Sequence, residues 1–376
     1  MDYQQKSIAA RQANGGGIYT GLVAEPNNKE ALSTYYSPGI AGPCLEIAKD
    51  KTKAFDLTIK KNTIAVISDG SAVLGLGNIG AEAALPVMEG KCMLLKHFGG
   101  VDGIPIVLDT QDTDEIVETI LRIAPTFGGI NLEDISAPRC FEIEARLNQK
   151  LDIPVFHDDQ HGTAICTLAA LINALKVVEK KKETIKLVIS GAGAGGIAIA
   201  KLVRLWGVKN IVMTDSKGVV HCDRDNLSPE KKGFCTTEDS EELACALKGA
   251  DVFIGASKAN VLTPAMVKTM ASSPIVFGLA NPDPEMHPSL AAEAGVAVMA
   301  TGRSDYPNQI NNVLVFPGLF RGLLDHRINQ VTDAIKLNAA QALAALVEHP
   351  TAERIIPDPF DQAVPPAMAQ SVLTQS

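Results

Sequence analysis

Residues 187–215 read "LVISGAGAGGIAIAKLVRLWGVKNIVMTD". The apolar run "KLVIS" ends at Ser190, and Gly191 follows directly. Gly191, Gly193 and Gly196 then space out as G-x-G-x-x-G, with Ala194 and Gly195 between them. The first glycine permits a tight turn, the second lets backbone approach a pyrophosphate, and the third lets helix and sheet pack closely. The following stretch, "GIAIAKLVRLWG", is expected to be a helix whose N-terminal N–H groups face phosphate. The next strand ends at Asp215, 19 residues beyond Gly196. A carboxylate there accepts hydrogen bonds from the ribose hydroxyls of NAD and repels the 2′-phosphate of NADP. Strand, glycines, helix, strand and acid together predict a Rossmann-type unit.

A second G-x-G-x-x-G occupies 75–80, "GLGNIG". Its context differs, because "DGSAVL" separates the strand "NTIAVIS" from Gly75. The following helix meets Pro86 and Gly90. These residues read as a tight strand-to-helix connection or an active-site loop, and the nucleotide is expected at 191–196.

Outward from both motifs, short apolar runs alternate with helical patterns, which predicts βα units and parallel sheets. "NTIAVIS", "IPIVLDT", "GGINLED" and "IPVFHDD" precede the 191–196 motif. "NIVMTD", "DVFIGAS", "PIVFGLA", "VAVMAT" and "VLVFPG" follow it. The fold expected is α/β: an N-terminal α/β substrate and metal domain over 1–156, and a doubly wound parallel-sheet NAD domain over 157–325. Residues 326–376 are expected to pack back as a C-terminal helix, with a loose Pro-rich arm from 350.

The 376 residues are 46% hydrophobic and 20% charged, with a net charge of −9. That balance suits a soluble globular protein and speaks against a nucleic-acid surface. No apolar run reaches membrane length and no secretory leader is evident, so a cytoplasmic location is expected. Seven scattered cysteines without a C-x-x-C pair are expected to be mostly buried, reduced thiols.

Glu133 and Asp134 end one predicted strand, and Asp158 and Asp159 end another. Ligands in open parallel sheets sit outside the carboxyl ends of the strands, so these oxygens converge on one crevice. Hard oxygen donors of this kind suit Mg²⁺ or Mn²⁺. Taken alone, such acids read as helix caps; taken with the dinucleotide site, they read as metal ligands. His157 and His161 are four apart, but a third soft ligand is lacking, so hydrogen bonding is expected of them rather than zinc binding.

"YYSPGIA", "SDGSAVLGLGNIG", "EGKCMLLKHFGGVD", "INLEDI", "VFHDDQHGTA", "GAGAGG", "GLANPDPE" and "NNVLVFPG" together resemble the malic enzyme family in its short bacterial form. The resemblance spans about residues 15–350. It implies oxidation of malate with NAD, NADP being possible, and release of pyruvate and CO₂ with the aid of a divalent metal. It implies Tyr36 as general acid, Lys91 as general base, and Glu133, Asp134 and Asp159 as metal ligands. It places Asn281 and Asn312 at the substrate or nicotinamide, and it implies a homodimer. Longer members carry an arginine for the substrate carboxylate where Ala72 stands here. Two other readings keep the scaffold: a metal-dependent oxaloacetate decarboxylase and a non-catalytic nucleotide sensor.

Overall fold

The computed structural model describes residues 3–73, 75–237 and 242–373. Two sheets carry the chain. The first has strands β1 (Thr63–Ser68), β2 (Asp102–Val107), β3 (Gly129–Leu132) and β4 (Val155–His157), all parallel, in the order β2-β1-β3-β4. The second has β5 (Lys186–Ser190), β6 (Asn210–Asp215), β7 (Gly218–Val219), β8 (Val252–Gly255), β9 (Ile275–Gly278) and β10 (Val298–Thr301). Its order is β10-β9-β8-β5-β6-β7, with only β7 antiparallel. Each order reverses direction once, between β1 and β3 and between β5 and β8. Such reversals open the crevice in which open α/β sheets bind ligands.

The helix Asp158–Val177 leads from β4 to β5 and is almost wholly buried. Its Ala, Leu and Ile faces join Ile64, Val66 and Phe156 of the first sheet to Leu187 and Ile189 of the second in one core. A helix apolar on all sides is what two flanking layers require. The helices Phe316–Asp325, Asp333–Ala345 and Val364–Ser371 close the same core through Phe316, Phe320, Leu343 and Met368.

Four expectations change. "VLVFPG" forms a turn and the start of the helix Phe316–Asp325 rather than a strand, because Pro317 fits a first helical turn. The Pro-rich tail is not a loose arm throughout, since Val364 and Met368 bury themselves on the core. The short strand β7 has too little sequence to leave a period. Cys222 and Cys235 form a disulfide across the segment after β7. Cys92, Cys140 and Cys166 are buried thiols as expected, whereas Cys44 and Cys245 are exposed.

The N-terminal segment behaves differently from the rest. No described residue before Thr63 is buried. Tyr19, Leu22, Val23, Tyr36 and Leu45 all stand in solvent. Among the described residues, no helix is long and apolar enough to cross a membrane.

Candidate active site

Two strand ends build the first half of the site. Glu133 and Asp134 follow β3 directly, and the Glu133 N–H continues the ladder to the Ile67 carbonyl at 2.9 Å. Asp158 and Asp159 open the helix after β4, where helix-terminal N–H groups favour negative charge. One oxygen from each of Glu133, Asp134 and Asp159 lies within 4.8 Å of the others. The Asp134 N–H donates to Asp159 Oδ2 at 2.8 Å, which ties the two strand ends together.

Lys91 reaches this cluster from the middle of the helix Ala81–Gly99. Its ammonium donates to Asp158 Oδ2 at 2.5 Å and meets Glu133 Oε1 at 2.9 Å, over the ring of Phe316. Burial alone would lower its pKa, but Asp158 and Glu133 outweigh burial and hold it above the ordinary lysine value. Burial pushes the Glu133 carboxyl up to about 7 and that of Asp158 up to about 6, with Lys91 pulling both the other way. Asp159 is raised for the same first reason.

Four acids around one ammonium leave negative charge uncompensated in a buried place. Burying like charges together is expensive unless a cation joins them. Asp158 Oδ1 is buried without a hydrogen-bond partner. Three carboxylates at this spacing are an oxygen donor set of the kind that Mg²⁺ and Mn²⁺ prefer. The residues present therefore fit a divalent cation.

The second half of the site is the nucleotide turn. Gly191 has φ +113°, and a Cβ there would stand 2.2 Å from the Ala256 carbonyl oxygen. A Cβ on Gly196 would stand 1.8 Å from the Gly191 carbonyl oxygen, so helix and turn touch as only glycine allows. Gly193 faces open space, and Ala194 starts the helix Ala194–Trp206. A cavity of about 620 Å³ lies against Gly191, Gly193, Asp215, Lys231 and Ser257. The turn also adjoins the acid cluster, because a Cβ on Gly195 would be 3.4 Å from the Asp159 carbonyl oxygen.

The other predicted residues divide. A Cβ on Gly162 would crowd both Asp158 Oδ1, at 2.0 Å, and Asn312 Cβ, at 3.0 Å, so Asn312 belongs beside the acids. The loop 75–80 leans on Asn281, whose carbonyl oxygen lies 3.1 Å from the Cβ position of Gly75. Tyr36 stands apart. It is 66% exposed at the end of the helix Lys29–Tyr35. Among the described residues, no hydrogen bond joins its hydroxyl to Lys91 or the acids.

Asp215 is not the bare acid the sequence suggested. Arg224 donates to Oδ1 at 3.1 Å and Oδ2 at 2.9 Å, and Lys231 reaches Oδ2 at 2.7 Å. The Lys217 backbone N–H adds a bond to Oδ1 at 2.9 Å. Burial would raise the Asp215 carboxyl, but Arg224 and Lys231 hold it well below the usual carboxylate range. Both cations lie inside the loop closed by Cys222 and Cys235.

Sequence reasoning gave no role to Asp158 beyond ending a strand, and missed Glu144. The doublet "HDD" was the available signal for Asp158. Glu144 takes the His157 N–H at 3.1 Å and His161 Nε2 at 2.9 Å. His161 thus hydrogen-bonds as expected, whereas both ring nitrogens of His157 are buried without a partner.

The family model of the malic enzyme N-terminal domain matches residues 18–148, and that of the malic enzyme NAD binding domain matches 160–364. The chain belongs to the malic enzyme family. It is 51% identical over 379 residues to the bifunctional malic/malolactic enzyme of Bacillus subtilis, covering 99% of this chain and 92% of that one. It is 53% identical over 365 residues to the NAD-dependent malic enzyme of Geobacillus stearothermophilus, covering 96% and 76%. The solved NAD-dependent malic enzyme of Thermotoga maritima superposes with a TM-score of 0.94 at 45% identity, covering 97% of this chain and 98% of that one.

Proposed function

We propose that this malic enzyme family member oxidises L-malate to pyruvate and CO₂ with reduction of NAD, and that the reaction needs Mg²⁺ or Mn²⁺. The observation that carries this reading is Lys91, clamped by Asp158 and Glu133 at the edge of three convergent carboxylates. The NAD turn rests against the same cluster at Asp159. A pure nucleotide sensor would have no use for a buried lysine among four acids.

Glu133, Asp134 and Asp159 would hold the cation, and Gly191–Gly196 would hold the pyrophosphate of the dinucleotide. When bound, the cation supplies Lewis-acid stabilisation of charge at the C2 oxygen, and the nicotinamide supplies the hydride acceptor. Lys91 accepts the C2 hydroxyl proton. To do so it must first release its own, and Asp158 Oδ2, 2.5 Å away, is placed to take it. Asn312 and Asn281 orient the substrate and the nicotinamide amide from the two sides of the crevice. Loss of CO₂ breaks the C3–C4 bond and leaves its electron pair on the three-carbon product, where Tyr36 returns a proton to C3. Exchange with solvent then restores the tyrosine and removes the proton taken from the C2 hydroxyl.

We place Tyr36 in the site of a second copy of the chain. Its exposure, and the absence of any buried residue among those described before Thr63, make the N-terminal segment a surface in search of a partner. A twofold dimer would cover it and complete both sites together. We read the protein as a cytoplasmic homodimer.

The deciding experiment measures NADH, CO₂, pyruvate and lactate from L-malate with Mn²⁺ and NAD. One NADH and one pyruvate per CO₂ are expected. CO₂ from oxaloacetate without NADH from malate would favour the decarboxylase, and lactate in place of NADH would favour the malolactic activity named for the Bacillus relative.

A further inference from the structure

Arg139 opens the helix Arg139–Lys150, and its guanidinium turns inward to the floor of the first crevice. One terminal nitrogen donates to Asp69 Oδ2 at 2.9 Å and to the Gln111 carbonyl at 2.5 Å. The other donates to Ser71 Oγ at 2.9 Å and Ser136 Oγ at 3.0 Å. Both N–H groups on each terminal nitrogen are thereby engaged, leaving only the Nε–H. The Asp69 side chain is fully buried, so this is an ion pair that packing holds in place.

The partners come from three strand exits. Asp69 and Ser71 follow β1, Gln111 follows β2, and Ser136 follows β3. Ser71 Oγ donates to Asp69 Oδ1 at 2.6 Å and accepts the Ser136 N–H at 2.9 Å. One residue on, the Ala72 N–H donates to the Asp134 carbonyl at 2.9 Å. Asp134 has φ +54°, in the left-handed region, which aspartate enters more readily than most non-glycine residues. The 69–72 loop is thus the template against which the Asp134 peptide lies, and Arg139 fastens that loop across the β1/β3 reversal.

We propose that Arg139 is a positioning residue for Asp134. By bridging the exits of β1 and β3, it fixes the backbone that aims the Asp134 carboxylate at Glu133 and Asp159. The inference rests on the metal site proposed above. It also gives a use to the loop in which longer family members carry a substrate-binding arginine and this chain carries Ala72. Direct capture of the substrate carboxylate by Arg139 is disfavoured, because its forked donors already face protein acceptors.

The test is Mn²⁺ binding by calorimetry to the full-length protein without malate or nucleotide, with NADH binding by fluorescence as a folding control. Loss of a direct partner of a metal ligand typically weakens the metal about 10- to 100-fold. Arg139 acts one step further out, through the 69–72 loop, so a weakening toward the lower end, about 10-fold, is expected for Arg139→Met. Arg139→Lys should recover part of it, since an ammonium can still meet Asp69 but cannot fork. Ser71→Ala should weaken Mn²⁺ in the same direction, and it decides the matter if Arg139→Met does not fold. NADH binding should be unchanged, and at saturating Mn²⁺ the KM for malate should return to the wild-type value. Unchanged Mn²⁺ affinity in Arg139→Met or Ser71→Ala would overturn the proposal. So would a KM for malate that stays high at saturating Mn²⁺, which would make Arg139 a substrate ligand. A wild type that binds no Mn²⁺ would remove the metal site itself, a separate failure.

Discussion

Lys91 Nζ lies 2.5 Å from Asp158 Oδ2, and neither side chain has appreciable access to water, at 11% and 0% exposure. The pair joins the middle of one helix to the first residue of another, so the proton of the proposed base already has a route away from it. In the ground state the lysine is charged. The Asp158 carboxyl, pushed up to about 6 by burial against the pull of Lys91, is a more willing proton acceptor than an ordinary aspartate.

Removing either member should therefore damage the chemical step more than binding. Lys91→Met is expected to lower kcat for malate oxidation by about 10²–10⁴-fold, the usual range for loss of a general base. Asp158→Asn should fall in the same direction and alter the pH profile of kcat. NADH binding, measured by fluorescence, should survive in both. A Lys91→Met enzyme of near-normal kcat would take the lysine out of the mechanism.

Asp159→Asn should raise the Mn²⁺ concentration needed for half-maximal activity, since one anionic oxygen of three is lost. The dependence of rate on free Mn²⁺ reads this directly. An unchanged curve would return Glu133, Asp134 and Asp159 to the helix-capping role.

The same acids predict how metal and pH act on stability. Burial raises Glu133 to about 7 and Asp158 to about 6 in the folded, metal-free chain, above their unfolded values near 4 to 4.5. Between those limits the folded state binds more protons than the unfolded state. Stability from these groups is therefore greatest at low pH and declines as pH rises through about 7. A cation among the carboxylates removes the penalty and competes with protons for the same oxygens. The rise in Tm on adding Mn²⁺ should be larger at pH 8 than at pH 5.5, as thermal melts would show. Comparing melts with and without metal at each pH cancels groups remote from the site. A rise independent of pH would mean that the acids are already ionised and compensated.

Much of this was legible in the chain. "KLVIS" and the glycines behind it specify a turn that only glycine can make, because carbonyls of Ala256 and Gly191 fill the Cβ positions. The acid doublets at 133–134 and 158–159 marked strand exits correctly, since a parallel sheet puts all its exits on one side. The ion pairs were not legible. Arg224 and Lys231 reach Asp215 through a loop whose closure by Cys222 and Cys235 leaves no local period. Arg139 reads in sequence as an ordinary first-turn residue, and its four bonds depend on how three strand exits are ordered in space. "VLVFPG" misled because a short buried apolar run looks alike in strand and helix.

Tyr36 offers a test that needs no structure of the dimer. Tyr36→Phe and Lys91→Met should each be nearly inactive. If Tyr36 serves the partner's site, mixing the two variants under conditions of subunit exchange creates hybrids with one intact site. Half of the dimers are hybrids and each has one of two sites working, so roughly a quarter of wild-type activity should return. A tyrosine acting within its own subunit leaves both hybrid sites broken. No recovery after proven exchange would therefore place Tyr36 in cis or outside the reaction.

Cofactor choice should turn on the charges around Asp215. A bare carboxylate about 4 Å from a 2′-phosphate charge would repel it by about 4 kcal/mol at an intermediate dielectric. Arg224 and Lys231 sit on that carboxylate, so the repulsion is largely cancelled at its source. Each Asp215 oxygen already accepts two donors, so a ribose hydroxyl must displace one of them. Lys231 is the member that also lines the nucleotide cavity, and its single flexible donor gives way more readily than the Arg224 fork. Wild type is thus expected to prefer NAD by a modest margin, on the order of tenfold. Asp215→Ser removes the acceptor for ribose and releases two cations, so kcat/KM should rise for NADP and fall for NAD. Lys231→Met keeps the acid and removes one cation, so it should depress NADP use while sparing NAD. Steady-state kinetics with both nucleotides on the three proteins separate these outcomes. If the NAD-to-NADP ratio stays fixed across them, this carboxylate and its cations do not face the ribose at all.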